Sequence, residues 1–189
     1  MPNVLLLNFI QRYFFIKTIV NGLVYLTKIF DMQKILRTAT VLMTCIGVGY
    51  FSGMVTKDSV TTWYPTLVKP FFNPPNWIFM PVWSVLYIMM GIAAGRIWNR
   101  LETDEENVKI AFKFFVIQLA LNALWSYLFF GFHNTFLAMI EIVILWLMIY
   151  ETIIKFRKVD KIASQMLIPY IAWVSFAAIL NASVWWLNR

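Results

Sequence analysis

Five long apolar runs, divided by short polar or proline-rich stretches, fill the chain after residue 31. They cover residues 35–55, 77–98, 110–130, 135–154 and 164–187. A helix needs roughly 20 apolar residues to cross a bilayer. The pattern therefore predicts an all-α, integral membrane bundle of five transmembrane helices. Residues 56–76, between the first two runs, read as a loop. Pro65, Pro70, Pro74 and Pro75 each fix φ and lack an amide N–H, which excludes a helix interior or a central strand. The residue before each proline is pushed towards extended backbone. A stiff aromatic loop of this kind is expected to cap one end of the bundle and help shape a pocket inside it, because a rigid wall loses little entropy when a ligand binds. The competing reading is an ordinary connection with interfacial aromatics.

Residues 1–31 follow a different pattern. Arg12, Lys17, Asn21 and Lys28 interrupt the apolar positions, and the gap from Lys17 to Lys28 is too short to span a membrane. Lys17, Asn21 and Lys28 fit one face of an interfacial amphipathic helix. An upstream mis-start or dispensable extension fits equally well, because Met32-Gln33-Lys34 begins much like an N-terminus. A signal peptide fits less well, since no small-residue cleavage site follows a clean apolar core. The chain thus divides into an extension, 1–31, and a membrane domain, 32–189.

Composition supports the membrane assignment: 61% of residues are hydrophobic and only 13% charged, against about 25% charged in soluble domains. The net charge of +7 does not signal nucleic acid, because the basic residues sit in short loops between the runs. Lys34, Arg37, Arg96, Arg100, Lys109, Lys113, Lys155, Arg157, Lys158 and Lys161 fall on one side of a five-span topology. Lys57, Lys69 and Arg189 fall on the other. The positive-inside rule then places the N-terminus inside, and the proline-rich loop and C-terminus outside. A bacterial cytoplasmic membrane is the expected location.

Several side chains invite chemistry and have a plainer reading. Cys45 lies in an apolar run, permits no intrachain disulfide or cysteine metal site, and reads as a small apolar residue. Glu102, Asp104, Glu105 and Glu106 have neither a His partner nor EF-hand spacing, so they read as a solvated helix cap rather than a metal site. His133, the one histidine, reads as a surface residue of the 131–134 turn. Gly91-x-x-x-Gly95 fits a homodimer contact or packing within one bundle. Gln118 and Asn122 are four residues apart and share a helical face, with Trp125 and Ser126 continuing near it. Trp173, Ala177 and Asn181 repeat that spacing on the fifth run. The two faces fit a cavity for a planar, largely apolar ligand with polar edges. Interhelical hydrogen bonding that merely holds the bundle fits them equally. Glu141 is an intramembrane carboxyl, read as bonded to another helix or as part of a proton relay.

The order of these residues carries a resemblance. Trp63-Tyr64, Leu67, Lys69-Pro70, Pro74-Pro75, Trp77, Trp83 and Leu86-Tyr87 resemble the signature of the tryptophan-rich sensory protein family, whose animal members are called translocator protein or peripheral benzodiazepine receptor. Gln118-Leu119, Asn122, Trp125-Ser126 and Phe129-Phe130 are similar to its third-helix motif. Pro169-Tyr170, Trp173, Phe176-Ala177 and Leu180-Asn181 are similar to its fifth-helix motif. The match covers about residues 32–188. It implies five helices around a pocket closed by the loop between the first two. It also implies binding of porphyrins and haem-related tetrapyrroles, with sterols and synthetic benzodiazepine-site ligands in some members. Matching positions put Tyr64, Pro74, Trp83, Tyr87, Asn122, Trp125, Ser126, Trp173 and Ala177 in the ligand site, with Trp77 as a loop anchor. The family's sterol segment needs a tyrosine followed by a basic residue late in the fifth helix. Ala182, Ser183 and Trp186 stand there, which argues against cholesterol.

The expected role is a tetrapyrrole-binding sensor, carrier or scavenger that needs no cofactor and partners lipid and small molecules. Enzymatic chemistry is the alternative. With no metal cluster and no nucleophile–base pair, it would rest on light, oxygen and the bound pigment. Trp83 and Trp173 match the tryptophans implicated in light-dependent porphyrin breakdown by bacterial relatives. A secondary transporter is a third reading, but inverted repeats and broken helices are not evident.

Overall fold

The computed structural model describes the backbone of residues 2–189, and the side chains of residues 31–189 together with Lys17, Ile19 and Gly22. Six α-helices are present: α1 (Pro2–Thr61), α2 (Phe79–Trp98), α3 (Glu105–Ser126), α4 (Thr135–Val159), α5 (Lys161–Met166) and α6 (Ile168–Leu187). Five segments are long and apolar enough to cross a membrane: Asp31–Thr61, Asn76–Trp98, Glu105–Gly131, Thr135–Val159 and Lys161–Leu187. The protein is thus a multi-pass helical membrane protein.

Two compact units divide the chain, at residues 1–36 and 37–189. In the first, Met32, Ile35 and Leu36 are exposed and Lys34 pairs with Asp31 at 3.9 Å. The amphipathic-face reading rests on Asn21 and Lys28, whose side chains lie outside the described residues.

In the second unit, α4 packs between α3 and α6, and α2 packs on α3 and α5. The outward faces are apolar: Val116, Ile117, Leu124, Ile140, Val143, Ile144, Leu147 and Ile179 are all exposed. In water such a surface would demand a partner; here it is the surface offered to lipid. The stretch of α1 from Thr38 onwards meets α2 through glycine. A Cβ on Gly91 would lie 2.6 Å from the Leu42 Cα, and one on Gly95 would lie 2.7 Å from the Thr38 Cα. The Gly91-x-x-x-Gly95 pattern is therefore used inside the bundle, for close approach of backbones. Gly49 on α1 makes room for a side chain instead, with the Tyr87 ring 2.5 Å from where its Cβ would be.

The helix ends depart from the hydropathy boundaries. The first span continues through Thr61, so residues 56–61, expected in the loop, are helical; Thr62 N and Trp63 N still bond back to the Asp58 and Ser59 carbonyls. The acidic residues of the 99–109 connector start α3: Asp104 is its N-cap, and Glu105 and Glu106 occupy the first turn, where carboxylates complement the helix dipole. The basic residues Lys155, Arg157 and Lys158, expected in a turn, are the last turns of α4. Backbone hydrogen bonding carries a helix past the end of its apolar stretch until a capping residue stops it.

Asp160 is that residue. Its Oδ1 accepts from Ala163 N at 2.9 Å, which starts α5, and its Oδ2 accepts from Arg96 Nη2 at 2.9 Å. Arg100 stands 3.8 Å away. Burial alone would raise the carboxyl's pKa, but the Ala163 N–H and the Arg96 guanidinium outweigh it and hold the pKa below the ordinary aspartate value. A carboxyl depressed on folding stabilises above its unfolded pKa of about 3.9, and that stability is lost as pH falls through the folded value. Asp160→Asn should therefore lower the unfolding free energy at neutral pH by about 1–2 kcal/mol, with a lower thermal midpoint, and flatten the loss of stability below about pH 4. Melting curves of both proteins across pH check this; parallel acid limbs would refute it.

Candidate functional site

The loop from Thr62 to Pro75 is fastened at both flanks. Tyr64–Thr66 and Asn76–Ile78 form short 3-10 turns. Tyr64 is 3% exposed; its ring lies against Phe129 and Phe130, and its hydroxyl donates to Asn73 Oδ1 at 2.5 Å. Burial pushes the Tyr64 hydroxyl up to about 12, so it stays a donor. Asn73 in turn donates to the Pro74 carbonyl at 3.1 Å. Lys69 sits over the Tyr64 ring, 5.0 Å from its centroid.

On one flank, the Trp63 ring stacks on His133 at 4.2 Å with a 15° interplanar angle. Ser59 Oγ donates to the Phe130 carbonyl at 2.5 Å and lies 3.1 Å from His133 Nε2. His133 is solvent-exposed, as expected, but it is also a clasp: it holds a positive φ of 54° and ties the α3–α4 turn to the loop. On the other flank, Asn188 makes two bonds with the backbone of Val68, accepting from its N and donating to its O, both at 2.9 Å. Neither fastening was visible in the sequence, because nothing local marks Asn188 or Ser59 as partners of the loop.

Beneath the loop, α3 ends in a π-helical turn, Tyr127–Gly131. Such turns often occur at functional sites. Here it turns both Phe129 and Phe130 inward, beside Trp125 at 5.3 and 5.9 Å. Further rings continue the lining: Phe72 on Phe176, Phe176 on Trp173, and Trp173 against Phe79. Trp83 contacts Tyr87 at 5.7 Å and Tyr170 at 6.3 Å.

The interior amides are paired. Tyr87 donates to Asn122 Oδ1, Asn122 Nδ2 donates to Tyr170 at 3.0 Å, and Tyr170 donates to Gln118 Oε1 at 2.9 Å. The chain of bonds runs one way across α2, α3 and α6. A second set joins α3, α6 and α4: Trp125 Nε1 donates to Asn181 Oδ1 at 3.1 Å, and Asn181 Nδ2 donates to the Thr135 carbonyl at 2.9 Å. Asn122 and Asn181 thus hold helices together. Some interior atoms stand outside these sets, Ser52 Oγ among them. Gln118 Nε2 and both Glu141 oxygens have no hydrogen-bond partner among the described residues. Among the described residues, the expected bond from Glu141 to another helix is not made.

Tyr64, Tyr87, Asn122 and Ser126 are buried, and Pro74, Trp83, Trp125, Trp173 and Ala177 are partly so. Trp83, Trp125, Trp173 and Ala177 all pack on the core cluster that contains Tyr87. Trp173 also reaches outward. With Pro81, Val82, Val85, Leu86, Met89, Pro169 and Ala172 it lines an open apolar groove of about 640 Å³ between α2 and α6. Trp77 is 72% exposed and lines none of this.

The sequence matches the TspO/MBR family over residues 38–187. The chain belongs to that family. Among TspO/MBR proteins, it is 41% identical to the tryptophan-rich protein TspO of Chlorobaculum tepidum over 160 residues, 82% of this chain and 98% of that one. The TspO of Archaeoglobus fulgidus is 37% identical over 82% of this chain and 99% of its own. The translocator protein of Sus scrofa is 37% identical over 72% of this chain and 81% of its own. The TspO/MBR match contains every element that builds the lined interior, from the Ser59 end of α1 to Asn181 on α6.

Proposed function

We propose that this protein binds a flat, largely apolar molecule of the tetrapyrrole class, a porphyrin or haem, inside the bundle, and acts as a sensor, carrier or scavenger. The observation that carries this reading is the aromatic lining of the interior under a loop fastened on both flanks. Indole and phenol rings offer planar apolar walls with few polar atoms. The bias of basic side chains towards the Arg96–Asp160 end supports a cytoplasmic-membrane orientation with that end inside.

The test is a titration of detergent-purified protein with protoporphyrin in the dark, following tryptophan fluorescence with inner-filter controls. Saturable quenching, weakened several-fold in Trp83→Phe or Trp173→Phe, is the expected result. Linear, non-saturable quenching in the unaltered protein would overturn the reading. One observation favours photochemistry as a second reading: Trp83 touches two tyrosine rings, a short series of oxidisable side chains beside the proposed ligand. An unchanged photoproduct yield in Trp83→Phe and Trp173→Phe would remove it.

A further inference from the structure

We propose that Glu141 is the hydrogen-bond acceptor of the interior site and selects flat apolar ligands that carry an N–H donor. The inference rests on the reading of the interior as a ligand site and adds the polar feature recognised there.

Glu141 is 6% exposed, and neither carboxyl oxygen meets a donor among the described residues. The ion pairs that anchor the protein's other carboxylates, such as Arg96–Asp160 and Arg37–Glu102, do not include it. A carboxyl buried in a membrane span without a partner is costly in either protonation state. Its neighbours on the buried face of α4 pack into both core clusters. Ala138, Glu141, Ile142 and Leu145 form the buried stripe of α4. Ala138 belongs to the cluster beneath the loop, with Tyr64, Phe129 and Phe130. Ile142 and Leu145 belong to the cluster with Tyr87 and Tyr170. Trp125 packs on both clusters.

Two bonds between α4 and α6 bracket the level of Glu141. They are Asn181 to the Thr135 carbonyl, and Trp146 Nε1 to Ser175 Oγ at 2.8 Å. Between Ser175 and Asn181, α6 carries no polar side chain: Phe176, Ala177, Ala178, Ile179 and Leu180 fill the interval. Tyr170 is within electrostatic reach of Glu141, and Tyr87 within that of Tyr170. Both hydroxyls donate elsewhere, to Gln118 and Asn122. The carboxyl therefore keeps acceptor capacity whether or not it carries a proton. A ligand N–H would satisfy it, whereas an all-carbon edge would leave it orphaned. That asymmetry is what makes a buried polar group discriminating.

Carbazole and N-methylcarbazole share one flat skeleton and differ in a single N–H. Their binding to detergent-purified protein would be measured by fluorescence, corrected for micelle partition, in the unaltered protein, Glu141→Leu and Glu141→Gln. Protoporphyrin is titrated alongside. The unaltered protein should prefer carbazole about tenfold. Glu141→Leu should abolish the preference without weakening N-methylcarbazole. Glu141→Gln, which keeps an acceptor oxygen, should retain most of it. The melting point of Glu141→Leu should be equal or higher, since an unsatisfied buried group is removed; a structural role would lower it.

Equal binding of the two carbazoles to the unaltered protein overturns the proposal, as does an equal loss of both in Glu141→Leu. If that happens while protoporphyrin still saturates, the ligand-site reading stands. If none of the three saturates, both fall together.

Discussion

Gly91→Val is expected to cause the largest loss of stability of any single change in the membrane domain, about 3 kcal/mol or more. The obstacle is backbone. A Cβ at Gly91 would meet the Leu42 Cα at 2.6 Å, and the side chain of Leu42 lies within 3.0–3.2 Å of the same point. No rotamer change relieves contact with a Cα, so α1 and α2 must move apart. That separation would open the packing around Met90, Ala94 and Cys45, all of which are fully buried. Gly95→Val should behave alike, since its Cβ would meet Thr38 Cα at 2.7 Å. Gly47 and Gly53 provide the control, because nothing lies within 4 Å of a Cβ at either position. Alanine there should be neutral or slightly stabilising, as alanine is the better helix former by about 1 kcal/mol. Thermal melts of the four variants in one detergent decide the matter. Gly91→Val melting with the unaltered protein would refute the close contact.

Asn122→Leu is the second large effect, about 2–3 kcal/mol. Asn122 accepts from the Tyr87 hydroxyl and donates to that of Tyr170. Leucine can do neither, so a buried phenol donor is left without its acceptor in the middle of the bundle. Tyr87→Phe removes that orphan, so the double variant Tyr87→Phe/Asn122→Leu should be less destabilised than the sum of the two single changes. The Tyr170 hydroxyl retains Gln118 as acceptor and limits the damage. If Asn122 served only a ligand, the ligand-free protein would melt unchanged after Asn122→Leu. Melting curves for the four members of the cycle distinguish the two cases.

The five spans were legible because an apolar run of membrane length has one structural outcome. Their ends were not, because hydropathy reports where lipid stops and hydrogen bonding decides where a helix stops. Residues 56–61 are polar enough to read as loop, yet they continue α1. Asp160 could be suspected from its capping residue type; that Arg96 would meet it from α2 could not. Among the site residues, the spacing of Gln118 and Asn122 revealed their shared face. It could not reveal that Tyr87 and Tyr170 would occupy the Asn122 amide, since that depends on how three helices are rotated about their axes. Glu141 was conspicuous as a charge in hydrocarbon, but its lack of a partner is a property of the packed bundle. His133 was unremarkable in sequence because its stacking partner, Trp63, lies across the fold.

The double bond between Asn188 and Val68 also bears on how the protein is made. Val68 belongs to the connection after the first span, whereas Asn188 follows the fifth. As the polypeptide emerges and inserts span by span, the loop is delivered early and its clasp arrives last. Until α6 is seated, Val68 has only water or headgroups to bond, and this flank of the loop stays unlatched even once the His133 flank has closed. Sealing of the interior is therefore a late event of biogenesis, timed by the insertion of the fifth span.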